Sequence, residues 1–307
     1  GYIADPWKTD QLQAILPDEP VLMIGSGLTM MDVVMTLHAR EHAGHMYAVS
    51  RHGLMPRPHR SPARPPAHRP APAALAHWDG RIKSLVRIVR ESVREHAGRG
   101  ADWREVIASL RPVTGELWRK LDARERERFL GRIRSYWEIV RHRAAPETAA
   151  ALADLVAARQ LTLHAGRIES IAPAEREQRL IEVAFRPRRS ENMRTLRVSR
   201  VINCLGPDTD LRRIDDPLIR QMMAVGLIAP DPHGLGIDVD AAGSPIGSSG
   251  LTSENITVVG PLRKGHLWEN TAVPELRKQA AEAARSCLIG LSGAKSAEWP
   301  ALAAGES

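Results

Sequence analysis

The sequence predicts an α/β fold, a mostly parallel sheet interrupted by a helical insertion, and three observations predict it. A continuous apolar run, Val21-Leu22-Met23-Ile24, breaks at a glycine and passes directly into helical spacing. Residues 80–158 carry amphipathic stripes of helical period. Strand character then returns three times between residues 161 and 205.

Each element has its own justification. Val21-Leu22-Met23-Ile24 reads as a strand covered on both faces. Gly25-Ser26-Gly27 ends it, and the spacing over 32–39 lets Met31, Val34, Met35 and His38 share a helix face. Residues 45–50 supply the return strand, completing a βαβ unit of the minimum length, about 30 residues. Seven prolines in the 17 residues from Pro56 to Pro72 exclude helix or central strand, so residues 56–79 read as a linker. Within 80–158, Ile82, Val86, Val89 and Val93 mark one stripe, and Leu130, Ile133, Trp137 and Val140 another. Trp103, Trp118 and Trp137 read as helix-packing residues. Strands follow at 161–164, 181–185 and 198–205, the last ending in Gly206-Pro207. A final strand is expected at 256–259, closing on Gly260-Pro261, with a helix from about 271 to 291.

The glycine turn is where chemistry enters. Between an apolar strand and a helix, Gly25 permits a tight turn and Gly27 lets the backbone approach a pyrophosphate, with Ser26 between them. The free N–H groups near Leu28 and Thr29 would then face the phosphates at the positive end of the helix. Met30 stands where the strict dinucleotide fingerprint has its third glycine. An ordinary strand-to-helix turn is the plain alternative. The second strand ends in Ser50-Arg51-His52, with no carboxylate between them and Asp79. An acidic residue there would suit the ribose hydroxyls of NAD, whereas Arg51 suits the 2′-phosphate of NADPH, with Ser50 as a neutral hydrogen-bonding neighbour. The plain alternative for Arg51 is a solvent-facing side chain.

Composition narrows the remaining classes. Hydrophobic content of 43% and charged content of 26% in 307 residues are ordinary for a folded domain or two. Cys204 and Cys287 form no CxxC pair, so neither a disulfide framework nor a zinc site is indicated, and a cytoplasmic setting is expected. No signal peptide or membrane-length apolar run is present in the sequence. The net charge is +7, but residues 51–143 hold 22 Lys/Arg against 10 Asp/Glu, so the rest of the chain is net acidic. Those arginines interleave with glutamates and read as solvated helix faces rather than a nucleic-acid surface, with an anion-attracting funnel as the functional alternative. His38, His42 and His45 have no cysteine or carboxylate placed to complete a metal site and read as helix surface. Arg141-His142-Arg143 reads as structural, or as a grip on an anionic substrate. G-x-S-x-G, P-loop and H-E-x-x-H motifs are all missing from the sequence, and no side chain stands out as an obligatory acid or base.

Five segments together resemble a known family. They are residues 21–32, Ser50-Arg51-His52-Gly53-Leu54-Met55-Pro56-Arg57-Pro58-His59-Arg60, Arg141-His142-Arg143 before Pro146, Val201-Ile202-Asn203-Cys204-Leu205-Gly206-Pro207, and 260–275. In this order they resemble the FAD/NAD(P)-binding proteins of the YdhS-like group and, more distantly, flavin monooxygenases and disulfide reductases. The resemblance implies a Rossmann-like NAD(P)-binding domain over 18–206, containing the linker 56–79 and the insertion 80–158. It implies that 207–307 is the C-terminal part of an FAD-binding domain. Gly206 would mark the strand–glycine junction leaving the NAD(P) domain. Gly260 would open the segment beneath FAD, with Pro261 in place of the family's aspartate. Thr271 would start a helix aimed at the flavin pyrimidine edge, although Asn270 and Thr271 are also plain capping residues. The family's own glycine-rich FAD-binding βαβ unit is not in this sequence, and residues 1–17 would be its tail. The implied activity is hydride transfer from NADPH to FAD, extending to monooxygenation of a small-molecule substrate, with this chain a truncated version or the flavin unit supplied by a separate chain. No nucleic-acid or membrane partner is expected. A non-catalytic NADP-binding protein that has lost its FAD half is the alternative.

Overall fold

The computed structural model describes residues 1–62, 71–100, 102–175, 177, 179–253 and 255–292. The centre of the proline-rich linker, 63–70, therefore lies outside the described residues. The chain divides into two compact units, residues 1–111 with 124–207, and residues 112–123 with the chain from Asp208 onward.

The sheet belongs to the first unit. Among the described residues its seven strands are β1 (Tyr2–Ile3), β2 (Val21–Ile24), β3 (Met46–Ser50), β4 (Leu161–Pro173), β5 (Ile181–Pro187), β6 (Arg194–Val198) and β7 (Arg200–Asn203). Their order across the sheet is β1-β7-β2-β3-β4-β5-β6. From β1 to β4 the pairings are parallel, and β4, β5 and β6 form an antiparallel meander. The helices in chain order are α1 (Thr9–Gln13), α2 (Leu28–His38), α3 (Ile82–Ala97), α4 (Trp103–Ser109), α5 (Thr114–Lys120), α6 (Ala123–Arg128), α7 (Arg134–Arg141), α8 (Pro146–Ala157), α9 (Pro217–Ala224), α10 (Lys264–Leu267) and α11 (Val273–Ser292). A π turn, Phe129–Ile133, joins α6 to α7.

The unbroken apolar character of β2 follows from burial on both faces. Val21 and Met23 enter one core with Met30, Val34 and Leu37 of α2, Leu152 and Leu155 of α8, and Leu12 and Ile15 of the N-terminal segment. Leu22 enters the opposite core with Val183, Phe185, Val198 and Val201, and Ile24 packs against it. Successive side chains of a strand point to opposite faces, so two apolar layers demand a run without polar alternation. Residues 1–17 are part of this unit through β1, which pairs with β7, and through Leu12 and Ile15.

Two strand expectations need correction. The run expected as one strand over 198–205 is two: β6 ends at Val198 and β7 begins at Arg200. The Ser199 N–H donates to the Pro20 carbonyl at the break, and the chain passes from the edge of the meander to a place between β1 and β2. Val198 and Val201 share one core, so the apolar pattern carries no mark of the switch. The strand expected at 256–259 does not form; that stretch is irregular, with the Val258 N–H donating to Gly243. Val258 is apolar because it fills the core of the second unit with Leu211, Ile228, Ile237 and Val239.

Candidate functional site

The carboxyl ends of β7, β2 and β3 bring Gly25, Ser26, Gly27, Leu28, Thr29, Ser50, Arg51 and Gly206 to one edge of the parallel sheet. Gly25 has φ +109°, and a Cβ there would stand 2.7 Å from the Cys204 carbonyl oxygen. Its N–H donates to Val49, tying the turn to β3. Gly27 is the opposite case. It is exposed, caps α2, and a Cβ on it would meet no atom within 4 Å. No side chain caps this helix and its first turn holds no acidic residue. The leading amides, including those of Leu28 and Thr29, therefore lack intrahelical acceptors and sit at the positive end of the helix. That combination suits an anion. Met30 is fully buried, so a side chain fills the helix–sheet gap that the strict fingerprint closes with glycine. Gly206, with φ +81° and open space around it, follows Leu205, whose Cδ2 lies 3.6 Å from the position a Gly25 Cβ would take.

A directed chain of hydroxyls holds the turn. Ser26 Oγ lies 2.7 Å from Ser50 Oγ and 2.5 Å from the Leu54 carbonyl oxygen. Each hydroxyl has one hydrogen and a carbonyl can only accept. Ser26 therefore donates to Leu54, Ser50 donates to Ser26, and the Gly53 N–H donates to Ser50 over 3.0 Å. Ser50 thus spends its hydrogen inside the loop.

Arg51 is exposed and opens onto a cleft of about 340 Å³ that is also lined by Arg167, Arg186, Arg188 and Arg189. Arg186 lies 3.6 Å from Glu169. Among the described residues Arg51, Arg167, Arg188 and Arg189 have no ion-pair partner. Strand pairing assembles this cluster: β4 runs parallel to β3 up to the Ser50–Ala165 pair, then crosses to antiparallel pairing with β5 from Gly166. The bulge between Ile168 and Ser170 accompanies that change. His52 stands beside the cluster, its ring 5.4 Å from Tyr136. Burial lowers its pKa, and the charges of Arg188 and Arg51 lower it further. Sequence reading missed the meander arginines, although Arg186-Pro187-Arg188-Arg189 directly follows an expected strand and was a visible basic run.

Gly260 and Thr271 belong to the second unit. Gly260 has φ +93° and is clamped: its N–H donates to Gln279 Oε1 over 2.9 Å and its carbonyl accepts from Asn270 Nδ2 over 2.6 Å. Asn270 is thus committed to the 260 loop rather than to capping α11, and Thr271 is exposed two residues before that helix begins. Asn270 Oδ1 and Gln279 Nε2 are buried without partners.

The other candidate clusters disperse. Arg143 packs over the Trp103 ring at 6.0 Å, while His142 Nε2 lies 3.4 Å from Glu138, so His142 and Arg143 turn to different partners. Only His38 lies on α2. His42 is buried in the following turn, and the His45 ring lies 4.3 Å from that of Tyr47 at a tilt of 37°, which corrects the helix-surface reading. Cys204 is buried, and burial pushes its thiol pKa up to about 12, which makes it an inert thiol. Among the described residues no group of three His, Cys, Asp or Glu is placed to hold a metal ion, and no helix is long and apolar enough to cross a membrane.

No family model and no curated protein matches the chain. Solved structures do. L-lysine 6-monooxygenase from Pseudomonas syringae is similar at 17% identity and TM-score 0.57, over 94% of this chain and 58% of that one. The reduced form of ornithine hydroxylase from Pseudomonas aeruginosa is similar at 13% identity and TM-score 0.57, over 94% and 57%. The ornithine N-hydroxylase of Kutzneria sp. 744, solved with reduced FAD, NADP+ and L-ornithine, is similar at 14% identity and TM-score 0.55, over 95% and 59%. The chain thus spans less than two thirds of the length of each. At these identities the likeness concerns the backbone: the chain has the Rossmann-like α/β fold of these proteins.

Proposed function

We propose that this chain is the NADPH-binding portion of a flavin-dependent oxidoreductase that acts on a small molecule. The observation that carries the reading is the glycine turn at the carboxyl edge of the parallel sheet, with an arginine-lined cleft at the end of the neighbouring strand. Gly27 leaves open the space a pyrophosphate needs, and the α2 amides at Leu28 and Thr29 supply donors toward it. Arg51, together with Arg167, Arg188 and Arg189, offers guanidinium forks to a 2′-phosphate. When bound, NADPH and FAD supply a hydride donor and its acceptor, and the protein's part is to bind, orient and shield them. Fold likeness to lysine and ornithine hydroxylases supports a monooxygenase version of this activity. The sequence resemblance to the YdhS-like group supports the flavoprotein reading.

In the second unit the fit to FAD is partial. Both backbone groups of Gly260 are taken by Gln279 and Asn270, and Pro261 replaces the aspartate of the family pattern. In this reading the flavin pyrophosphate is held by a glycine-rich unit on an adjoining segment or on a separate chain, as the resemblance to the YdhS-like group implies. The same clamp favours the second reading, a non-catalytic NADP-binding protein. Titration of the purified chain with NADPH, NADH and FAD separates the two. Arg51→Ala is expected to weaken NADPH by roughly tenfold or more while leaving NADH nearly unchanged, the loss of one charge-assisted contact. Equal effects on both nucleotides defeat the role of Arg51, and failure to bind either defeats both readings. Flavin bound by this chain, or by its complex with a flavin-unit partner, defeats the non-catalytic reading.

A further inference from the structure

The helical insertion carries a second feature, independent of the cofactor reading. A groove of about 820 Å³ runs between α3 and residues 125–133. On one wall Lys83, Arg87, Arg90 and Arg94 repeat at spacings of four, three and four, an exposed stripe about 16 Å long at the rise of an α-helix. Arg128 and Arg132 stand on the other wall, at the π turn Phe129–Ile133, a helix irregularity frequent at functional sites. Ile82, Val86 and Ile133 form an apolar floor, Ile82 buried and the other two half-buried.

The groove's carboxylates are spent internally. Glu125 is buried, accepts from the Ile82 N–H and pairs with Arg128, and Asp79 accepts from Ser84 Oγ and the Arg81 N–H. Among the described residues Lys83, Arg87, Arg90, Arg94 and Arg132 have no ion-pair partner. Glu91 on the same helix offsets only part of this charge, so like-charge repulsion remains along the stripe and an anionic occupant relieves it.

We propose that this groove docks an acidic amphipathic helix of a partner protein. The four-three-four spacing matches carboxylates on successive turns of a facing helix, and the apolar floor matches the leucine-type side chains beside them. Three rival occupants fit less well. No aromatic side chain lines the groove, so a single-stranded nucleic acid would find no stacking platform. The apolar residues lie on the floor instead of projecting, which is the wrong shape for a lipid surface. The cations are spread along three helical turns rather than converging on a point, which does not suit one small anion.

The test uses the full chain and a labelled synthetic peptide of about 20 residues, with glutamates at i, i+4, i+7 and i+11 beside a leucine face. Fluorescence anisotropy is expected to show saturable one-to-one binding. A scrambled peptide of identical composition is expected to bind at least about tenfold more weakly. Reversing two cations together, Arg87→Glu with Arg90→Glu, is expected to cost about tenfold or more in affinity while the chain keeps a cooperative thermal melt. Reversing the exposed Arg277 and Arg285 on α11 is expected to leave affinity unchanged. Equal binding of the scrambled peptide overturns the proposal, as does indifference to the Arg87/Arg90 pair. Tighter binding of oligo(dT) or of anionic phosphatidylserine vesicles, lost in the same double variant, overturns it in favour of those occupants.

Discussion

Gly25 packs against Cys204 so closely that a single added carbon would stand 2.7 Å from the Cys204 carbonyl oxygen, at a backbone φ of +109°. Two positions on, at Gly27, the same carbon would meet nothing within 4 Å. The two glycines of one motif therefore do different work. Gly25→Ala is expected to destabilise the fold by about 1–3 kcal/mol, through strain and the clash with the Cys204 backbone just past β7. Gly27→Ala is expected to change stability by less than about 1 kcal/mol but to weaken NADPH by occupying the approach to the α2 amides. Thermal melts and nucleotide titration of both variants distinguish the effects; a stable Gly25→Ala protein would contradict the packing argument.

The Ser50–Ser26–Leu54 hydroxyl chain predicts a stability cost at the end of β3. Ser50→Ala removes the donor to Ser26 and the acceptor for the Gly53 N–H. Denaturant unfolding is expected to show a loss of about 1–2 kcal/mol, the usual worth of such bonds when partners are left unmet. Ser50→Cys, a near-isostere with a weak donor, is expected to fall between. If Ser50→Ala is as stable as the parent, the directed chain does not hold the turn.

Acid should destabilise the first unit. Burial is the first cause lowering the pKa of His42, His52, His59 and His164 below the ordinary 6.5; neighbouring positive charges lower His52, His59 and His164 further, while backbone hydrogen bonds at Leu16 and Glu19 offset part of the burial at His42. Between the folded values and 6.5 the unfolded chain binds protons that the folded chain refuses, so unfolding free energy rises with pH across that window. Stability contributed by these groups is thus intact above 6.5 and is lost as pH falls below it. Melting temperature measured from pH 7.5 to pH 5 is expected to fall on the acid side, and His164→Gln to flatten the slope. A melting temperature that rises on acidification contradicts the assignment.

Asn270 predicts a local defect in the second unit. Its amide donates to the Gly260 carbonyl, and Gln279 accepts from the Gly260 N–H. Asn270→Ala is expected to cost about 1–3 kcal/mol by leaving a buried carbonyl unmet and to speed hydrogen exchange at residue 260 and its neighbours. Unchanged exchange there would show that Gln279 alone holds the loop.

The β2–turn–α2–β3 unit was legible in the sequence because its determinants act within a few residues. An apolar run, two glycines and a change of period from strand to helix are local facts, and so are the stripes of the helical insertion. The place of Arg51, exposed just past the end of β3, was legible from the sequence. What only the tertiary structure decided depends on pairing between distant segments. The apolar run through Val198 and Val201 contains a change of strand neighbour at Ser199, hidden because both valines enter one core. Ile256-Thr257-Val258-Val259 has strand composition but feeds a small core without a partner strand. Arg167, Arg188 and Arg189 meet Arg51 because β4 leaves β3 after Ala165 and turns to β5. Ser26 and Ser50 meet because β2 and β3 lie side by side. Local propensity selects an element's type, whereas its neighbours follow from which buried surfaces and hydrogen-bonding edges remain to be satisfied once the whole chain has folded.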